Sequence, residues 1–355
     1  MTIDLRAPDD FHVHLRQAPL LTPVVRETAR WFARVLVMPN TIPPITTAEG
    51  LDAYRREILA SLPPGRQLEP LLTFKLVPDL DPASVSGLAA AGAIGGKLYP
   101  QGVTTNSSDG AANAEALYPI IEAMEANDLV LEIHAELPGA FSLDRETAFL
   151  PTVERIAARF PKLRVVIEHV SSAETLSALA NLPETVAATV TVHHLYLTLD
   201  DVVGGDLRPH YFCKPIAKRP ADRAAIRDAV FGGNRRVFFG SDSAPHPRGA
   251  KESDCGCAGI YTAPVALPLL AELFDREGLP LRETDAGSGT SLEAFVSRYG
   301  AEFYRVPINA DRIILEEREW TVPAECAGVV PFRAGERLRY DLRYRGGQCE
   351  SGETG

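Results

Sequence analysis

Short apolar runs that alternate with longer helical patterns constrain the fold of this chain more than any other feature. Several runs are continuous stretches of Val, Ile and Leu, which is typical of parallel strands covered on both faces. Eight strands with intervening helices predict an α/β protein, a (β/α)8 TIM barrel, with a doubly wound open sheet as the alternative. The helical patterns lie at 48–60, 111–126, 145–160 and 221–231. The candidate strands are 11–15, 34–38, 71–77, 94–98, 129–135, 164–169, 188–194 and 236–240.

The chain continues well beyond the eighth predicted strand. Helical patterns at 263–274 and 291–299 precede a segment, 320–344, that is richer in Val, Arg and aromatic residues. We therefore expect residues 1–318 to form the barrel with its terminal helices, and 319–345 to form a small C-terminal extension packed on the barrel. The Gly, Ser and Glu content of 346–355 predicts a disordered tail.

Charge and cysteine content argue against several classes of protein. A formal net charge of −11 disfavours a surface that binds nucleic acid or an anionic membrane. The N-terminus lacks a signal-peptide pattern, and no apolar run approaches the roughly 18 residues of a membrane span. The five cysteines are odd in number and irregularly spaced, which predicts a reducing environment rather than a disulfide framework. We expect a cytoplasmic protein.

Histidine and aspartate residues follow several predicted strands, at the end where barrel enzymes place their active sites. His12, His14 and Arg16 alternate along the first strand, so we expect their side chains to share one face. Two such imidazoles can bind one metal ion, although a half-buried strand with hydrogen-bonded histidines is the simpler alternative. Further potential metal ligands, His134, His169 and Asp242, lie at the ends of predicted strands five, six and eight. Packing alone does not explain this whole set.

Lys97 ends the fourth predicted strand, in the run Gly95-Gly96-Lys97-Leu98-Tyr99. A buried ammonium group without a partner is unfavourable, so this residue either pairs with a carboxylate or reaches the surface. A third alternative follows if burial lowers its pKa, because a neutral amine can react with CO₂ to form a carbamate. A carbamate is an anionic oxygen ligand that can bridge two metal ions.

Six segments of the sequence narrow the prediction. They are Asp10-Phe11-His12-Val13-His14-Leu15-Arg16, Met38-Pro39-Asn40-Thr41, Lys97-Leu98-Tyr99-Pro100, Thr104-Thr105-Asn106-Ser107, Gly240-Ser241-Asp242-Ser243-Ala244-Pro245-His246 and Cys255-Gly256-Cys257-Ala258-Gly259. With the histidines above, this order resembles the binuclear amidohydrolase superfamily, and within it the dihydroorotase family of the short, monofunctional bacterial type. The resemblance extends from about residue 10 to about residue 300.

The resemblance implies a site with two Zn²⁺ ions per subunit, a substrate pocket and a mobile loop that covers the substrate. The implied metal ligands are His12, His14 and Asp242 for the first ion, His134 and His169 for the second, and Lys97, as N6-carboxylysine, between them. The implied substrate-binding residues are Arg16, Asn40 and His246, helped by backbone groups near Lys214 and Ala258. The loop residues are Thr104 and Thr105.

The reaction of this family is the reversible cyclisation of N-carbamoyl-L-aspartate to L-dihydroorotate with loss of water, in pyrimidine biosynthesis. The resemblance implies that Asp242 is the catalytic proton carrier and that the protein is a homodimer. A hydantoinase or allantoinase would share the metal ligands, but carboxylate recognition by Arg16, Asn40 and His246 favours dihydroorotase. An adenosine-deaminase-like enzyme would use one metal and no bridging lysine. A catalytically inactive barrel scaffold would be expected to have lost ligands, and none is missing here.

The remaining histidines and cysteines are expected to pack rather than react, with support of the site by His193 or His194 as the alternative. His193 and His194 are predicted to end strand seven, so only one of them should face inward. Packing roles are also predicted for His210, Cys213, Cys255 and Cys257.

Overall fold

An eight-stranded parallel sheet forms the centre of the molecule. The computed structural model describes residues 2–111, 113–254, 256–283, 290–345 and 348–349. Strands β2 to β9 follow one another around this sheet in chain order. The strands are β1 (Thr2–Arg6), β2 (Asp9–Val13), β3 (Arg34–Val37), β4 (Glu69–Lys75), β5 (Ala93–Leu98), β6 (Val130–Ile133), β7 (Arg164–Ile167), β8 (Val186–Val190), β9 (Val237–Phe239), β10 (Arg312–Thr321), β11 (Arg337–Arg345) and β12 (Gln348–Cys349).

Backbone contacts between the first and last strands of this sheet close it into a barrel. The amide of His14 donates to the carbonyl oxygen of Ser243 at 3.0 Å, and the amide of Asp242 donates to that of His12 at 2.9 Å. Val13 and Ser243 form a parallel bridge at the same junction. The structure therefore confirms the predicted (β/α)8 TIM barrel and excludes an open sheet, whose edge strands would remain apart.

Helices cover the outer surface of the barrel and connect its strands. They are α1 (Leu21–Trp31), α2 (Ala48–Ala60), α3 (Val85–Ala90), α4 (Tyr118–Ala126), α5 (Arg145–Arg159), α6 (Ala173–Leu179), α7 (Val192–Tyr196), α8 (Leu199–Val203), α9 (Pro220–Phe231), α10 (Arg248–Lys251), α11 (Ala266–Arg276) and α12 (Tyr299–Tyr304), the last preceded by a π-helical turn at Ala294–Arg298. In the part of the chain that the structure describes, none of them combines the length and apolar character that membrane crossing requires.

Apolar side chains close the end of the barrel at which the strands begin. The ring of Phe11 in β2 stacks on Tyr304 of α12, with 4.9 Å between ring centroids, and meets Phe238 of β9 edge to face at 5.5 Å. Leu36, Val130 and other buried residues of the barrel strands belong to the same cluster. Because this end is filled, a ligand can enter only at the carboxyl ends of the strands.

A second, smaller sheet joins the two ends of the chain. Strand β1 pairs antiparallel with β10, which pairs with β11, so the order is β1-β10-β11-β12. The sequence did not predict β1, which aligns Thr2–Arg6 along Glu316–Arg312. The expected boundary between residues 318 and 319 falls inside β10. Of the expected tail, Gln348–Cys349 form β12, whereas 346–347 and 350–355 lie outside the described residues.

Two of the predicted elements differ from the structure. The seventh barrel strand ends at Val190, and His193 and His194 lie in α7, so the prediction that they end a strand is wrong. The side chain of Thr191 accepts a hydrogen bond from the amide of His194 at 3.1 Å, which caps the N-terminus of α7. The helix predicted at 111–126 begins only at Tyr118, after a 3₁₀ turn.

Candidate active site

A pocket opens at the carboxyl ends of the barrel strands. Its lining includes every predicted site residue except Lys97 and His246, together with Tyr99, Ala244 and Gly259. Lys97 lies beneath this surface, with its Nζ 5.5 Å from the centroid of the Tyr99 ring. His246 lies behind Arg16, 3.0 Å from its guanidinium group. The fold thus brings residues from distant parts of the chain to one place, as a parallel barrel requires.

His12, His14 and Asp242 form a buried group that could hold a metal ion. The Oδ1 atom of Asp242 lies 3.4 Å from Nε2 of His12 and 3.2 Å from Nε2 of His14. The other ring nitrogens are engaged elsewhere: Nδ1 of His12 donates to Glu168 and Nδ1 of His14 donates to Asn40, both at 2.8 Å. These contacts orient both Nε2 atoms toward Asp242, as acceptors bonded to the other ring nitrogen do for metal-binding histidines.

His134 and His169 form a second pair beside the first. Their ring centroids are 4.7 Å apart, and the His169 ring is 5.1 Å from that of His12. Nε2 of His134 donates to Glu136 at 2.7 Å, which leaves Nδ1 of His134 available. Nδ1 of His169 is buried without a hydrogen-bond partner. Free imidazole nitrogens at this position are suitable ligands for a second ion.

Three residues of the site have a left-handed backbone, which is uncommon outside glycine. They are Arg16 at φ 63°, His169 at φ 43° and Asp242 at φ 43°. Strand β2 ends at Val13, so the prediction that Arg16 continues the strand face of the two histidines is wrong. Arg16 lines the pocket through this left-handed turn instead of through strand alternation.

Lys97 differs from the other buried lysines of the described residues. Lys75, Lys218 and Lys251 each donate to one or more oxygen atoms. The Nζ atom of Lys97 is buried and has no hydrogen-bond partner. Burial lowers the pKa of Lys97, although nearby carboxylates act in the opposite direction. An amine without any acceptor in a buried site is costly, so its surroundings fit the free ammonium form poorly.

Asp242 keeps its negative charge in spite of being buried. Burial acts to raise its pKa, but the close contacts with His14 and His12 hold the pKa below its usual range. Burial also lowers the pKa of His14 to about 4, so this imidazole is neutral at physiological pH. A carboxylate beside a neutral imidazole is suited to binding divalent zinc.

A cationic region beside the metal-ligand group is suited to a carboxylate. Nε of Arg16 donates to the carbonyl oxygen of Pro245 at 2.9 Å. Nε2 of His246 lies 3.0 Å from both Nη2 of Arg16 and the carbonyl oxygen of Ala258. One imidazole nitrogen cannot accept from Arg16 and donate to Ala258 at the same time. An added anion would resolve this conflict by accepting from Arg16.

The loop that carries Thr104 and Thr105 lies against Asn40 at the pocket entrance. Nδ2 of Asn40 donates to the carbonyl oxygen of Thr105 at 3.3 Å, and Nδ2 of Asn106 donates to the carbonyl oxygen of Asn40 at 2.9 Å. At the base of the loop, Lys75 donates to Asp109 and to the carbonyl oxygen of Asn106. The loop is therefore attached both at its tip and at its base.

Known proteins resemble this chain over nearly its whole length. Residues 24–259 match the model of the amidohydrolase family. The dihydroorotase of Laribacter hongkongensis is 43% identical over 350 residues, which cover 96% of this chain and 99% of that protein. The chain belongs to the dihydroorotase family.

Solved structures of the dihydroorotase family have the same fold. The Campylobacter jejuni dihydroorotase is 38% identical, with a TM-score of 0.86 over 97% of this chain and 98% of that one. The Saccharomyces cerevisiae dihydroorotase, solved in complex with 5-fluoroorotic acid, is 34% identical, with a TM-score of 0.87 over 96% and 98%. The barrel, its pocket and the N- and C-terminal sheet thus lie within the region that these family members share.

A second group of potential ligands, formed by His193, His194 and Cys213, lies outside the pocket. Both ring nitrogens of His194 already have partners, at Thr191 and at the carbonyl oxygen of Pro215. The Cys213 thiol donates to the same carbonyl at 3.2 Å, and burial raises its pKa to about 12. Because a metal needs the thiolate, His194 and Cys213 are better described as hydrogen-bonded packing. The buried His193 differs, since neither of its ring nitrogens has a hydrogen-bond partner. Of the other packing candidates, Cys255 lies outside the described residues, and His210 contacts Glu252.

Several residues that support the site were not predicted. Glu168 accepts from His12 and from Thr189, and Glu136 accepts from His134. Tyr99 lines the pocket two residues after Lys97. Strand alternation could have identified Tyr99, since residues two apart share a face. Glu168 also had a signal, because a glutamate inside an otherwise apolar strand run is rare unless it has a partner.

Proposed function

We propose that this chain catalyses the reversible cyclisation of N-carbamoyl-L-aspartate to L-dihydroorotate and water, the reaction of a dihydroorotase. The observation on which this rests is that Arg16 and His246 lie directly beside the His12, His14 and Asp242 group. Metal ligands alone are common to many amidohydrolases. A cationic carboxylate pocket next to them selects a substrate that carries a carboxylate close to the amide that reacts.

The ligand set supports a site with two Zn²⁺ ions. His12, His14 and Asp242 would bind one ion, and His134 with His169 would bind the other. Carboxylated Lys97 would complete the set as an anionic oxygen ligand shared by the two ions. When bound, the two ions would supply hydroxide near neutral pH and polarise the reacting carbonyl group.

The unpaired amine of Lys97 supports the carbamate. A lowered pKa increases the fraction of neutral amine, which is the form that attacks CO₂. The new C–N bond forms as a proton leaves the nitrogen, and the product is an anion. That anion would replace an ammonium group that has no acceptor in this site.

The substrate carboxylate would bind on the cationic side of the pocket. Arg16 would donate two hydrogen bonds to it, with Asn40 and His246 as further partners. Backbone groups at Lys214 and Ala258, which line the same pocket, would complete its binding. Burial lowers the pKa of His246 to about 3, so it would stand beside the bound anion as a neutral imidazole.

Asp242 would move the proton in both directions of the reaction. In hydrolysis its carboxylate would accept the proton of the attacking hydroxide and deliver that proton to the leaving ring nitrogen. In cyclisation it accepts the proton from the ureido nitrogen. The lowered pKa of Asp242 supports the first step, because the group begins as a base. Thr104 and Thr105 would cover the bound substrate and exclude bulk water.

We also propose a cytoplasmic homodimer. The free thiols of Cys213, Cys257 and Cys326 support a reducing compartment. The dimer rests on the family resemblance alone.

The test is a comparison of substrates together with metal analysis. Purified protein should hydrolyse L-dihydroorotate and should contain two equivalents of zinc per chain, with a carbamate on Lys97 in electron density. Faster turnover of hydantoin or allantoin would show that the substrate assignment is wrong. One metal ion with unmodified Lys97 would favour a mononuclear deaminase-like enzyme. Absence of activity after zinc is added would favour an inactive scaffold.

A further inference from the structure

Lys251, at the end of α10, donates to three backbone carbonyl oxygens. Its Nζ lies 3.0 Å from the oxygen of Phe212, 2.9 Å from that of Cys257 and 2.5 Å from that of Gly259. An ammonium group has three protons, so these contacts use all of its donors. The residue is 4% exposed, so water does not compete effectively for these protons.

The three carbonyl groups belong to two segments that are distant in sequence. Phe212 lies two residues before Lys214, whereas Cys257 and Gly259 flank Ala258 on either side. A backbone hydrogen bond also joins the two segments, since the amide of Gly259 donates to the carbonyl oxygen of Phe212 at 2.9 Å. Lys251 therefore fixes the separation between two segments that both line the pocket.

The second of these segments is packed too closely to shift on its own. Gly259 has φ +145°, and a Cβ atom there would lie 2.6 Å from the carbonyl oxygen of Ala244. The carbonyl oxygen of Ala258 is 3.0 Å from Nε2 of His246, which is 3.0 Å from Arg16. Displacement of this segment would consequently move His246 and disturb the contact with Arg16.

We propose that Lys251 is a positioning residue that sets the geometry of the carboxylate pocket, an inference that rests on the proposed function. It acts through the 212–214 and 257–259 segments and does not touch the substrate. All of its hydrogen bonds go to neutral carbonyl groups. Its positive charge therefore adds to that of Arg16 and favours an anionic substrate group. Burial lowers the pKa of Lys251 to about 8, so it is mainly protonated at neutral pH.

The test replaces Lys251 by Met, which retains the length of the side chain and removes its donors. We expect KM for L-dihydroorotate to rise roughly 10- to 100-fold, as loss of charge-assisted hydrogen bonds predicts, with a change in kcat of less than about threefold. Zinc content should not change. Lys218→Met is the matched control, because Lys218 is also buried but donates to Ser171 and pairs with Glu146. Its KM should remain that of the wild type.

A double-mutant cycle with Arg16→Met separates positioning from general loss of structure. If Lys251 acts through the carboxylate pocket, its substitution should have little further effect on KM once Arg16 is removed. Fully additive effects, or an unchanged KM in Lys251→Met, would overturn the proposal. Should the Met variant fail to fold, Lys251→Gln retains two donors and should give an intermediate KM. A KM for Lys251→Gln equal to that of the wild type would also count against the proposal.

Amide hydrogen exchange provides a readout that does not depend on activity. Exchange within 212–217 and 257–261 should be faster in Lys251→Met than in Lys218→Met. Unchanged exchange in these segments would contradict the role of Lys251 even if KM rises. If wild-type protein does not convert dihydroorotate, the proposed function fails, whereas the exchange result still tests whether Lys251 fixes the two segments.

Discussion

The two halves of the pocket are built in different ways. The metal-ligand half consists of side chains at or directly after strand ends, such as His134 after β6 and His169 after β7. The carboxylate half consists of loop residues, such as His246 and Ala258, which depend on side-chain to backbone contacts for their positions. Strand ends are fixed by the barrel itself, whereas loops need additional anchors. Metal binding and substrate binding should therefore be separable by mutation.

The largest effect should come from Lys97→Ala, which tests the metal-ligand half alone. Loss of the proposed bridging ligand should remove at least one metal ion and reduce kcat by on the order of 10³-fold or more. Metal analysis and steady-state kinetics give both values, and a small carboxylate should restore part of the activity. Lys218→Ala, at a buried lysine outside the pocket, controls for the loss of a buried amine. Near-normal turnover in Lys97→Ala would refute the bridging role.

Arg16→Met should affect the other half and leave the metals in place. We expect kcat/KM to fall by about 10²-fold, mainly through KM, because the proposed charge-assisted hydrogen bonds to the substrate carboxylate would be lost. Zinc content should equal that of the wild type. Arg155→Met, at a side chain that is 53% exposed, is the control for loss of one arginine. If Arg16→Met also lost zinc, the two halves would be coupled and the comparison above would be wrong.

The same division explains which parts of the molecule the sequence could predict. A ligand that closes an apolar run, such as His134 or His169, is predictable because parallel strands all end on the same side of a barrel. The contacts that hold the loops in place are less predictable. Lys251 donates to the carbonyl oxygen of Phe212, which is 39 residues away in sequence, and no local sequence pattern indicates that contact. Helix α7 was missed because the Val and Thr residues around it are typical of strands. Only the three-dimensional structure reveals that Thr191 caps a helix there.

Glu168→Gln should have a smaller effect, within the metal-ligand half. Glu168 accepts from Nδ1 of His12 at 2.8 Å, and a neutral amide would orient that imidazole less strongly. Zinc affinity should fall by roughly 10- to 100-fold, as when other acceptors that orient metal-binding histidines are lost, and competition with a chelator measures it. Glu293→Gln is the control, since Glu293 is also buried but accepts from the amide of Arg6 outside the pocket. Equal zinc affinity in both variants would argue against a role for Glu168 in the site.

The smallest effect should come from Asp109→Asn, which loosens the loop over the carboxylate half. Asp109 pairs with the buried Lys75 but is itself 44% exposed, so water weakens the ion pair. We expect kcat/KM to fall only about threefold, with zinc content unchanged. Proteolysis within 100–111 should be faster than in the wild type, and saturating substrate should slow it. Asp79→Asn, at an exposed position after β4, should change neither property. If Asp109→Asn instead lowered zinc content, the loop would support the metal-ligand half as well. The separation of the pocket into a metal-ligand half on strand ends and a carboxylate half on anchored loops would then be wrong for this loop.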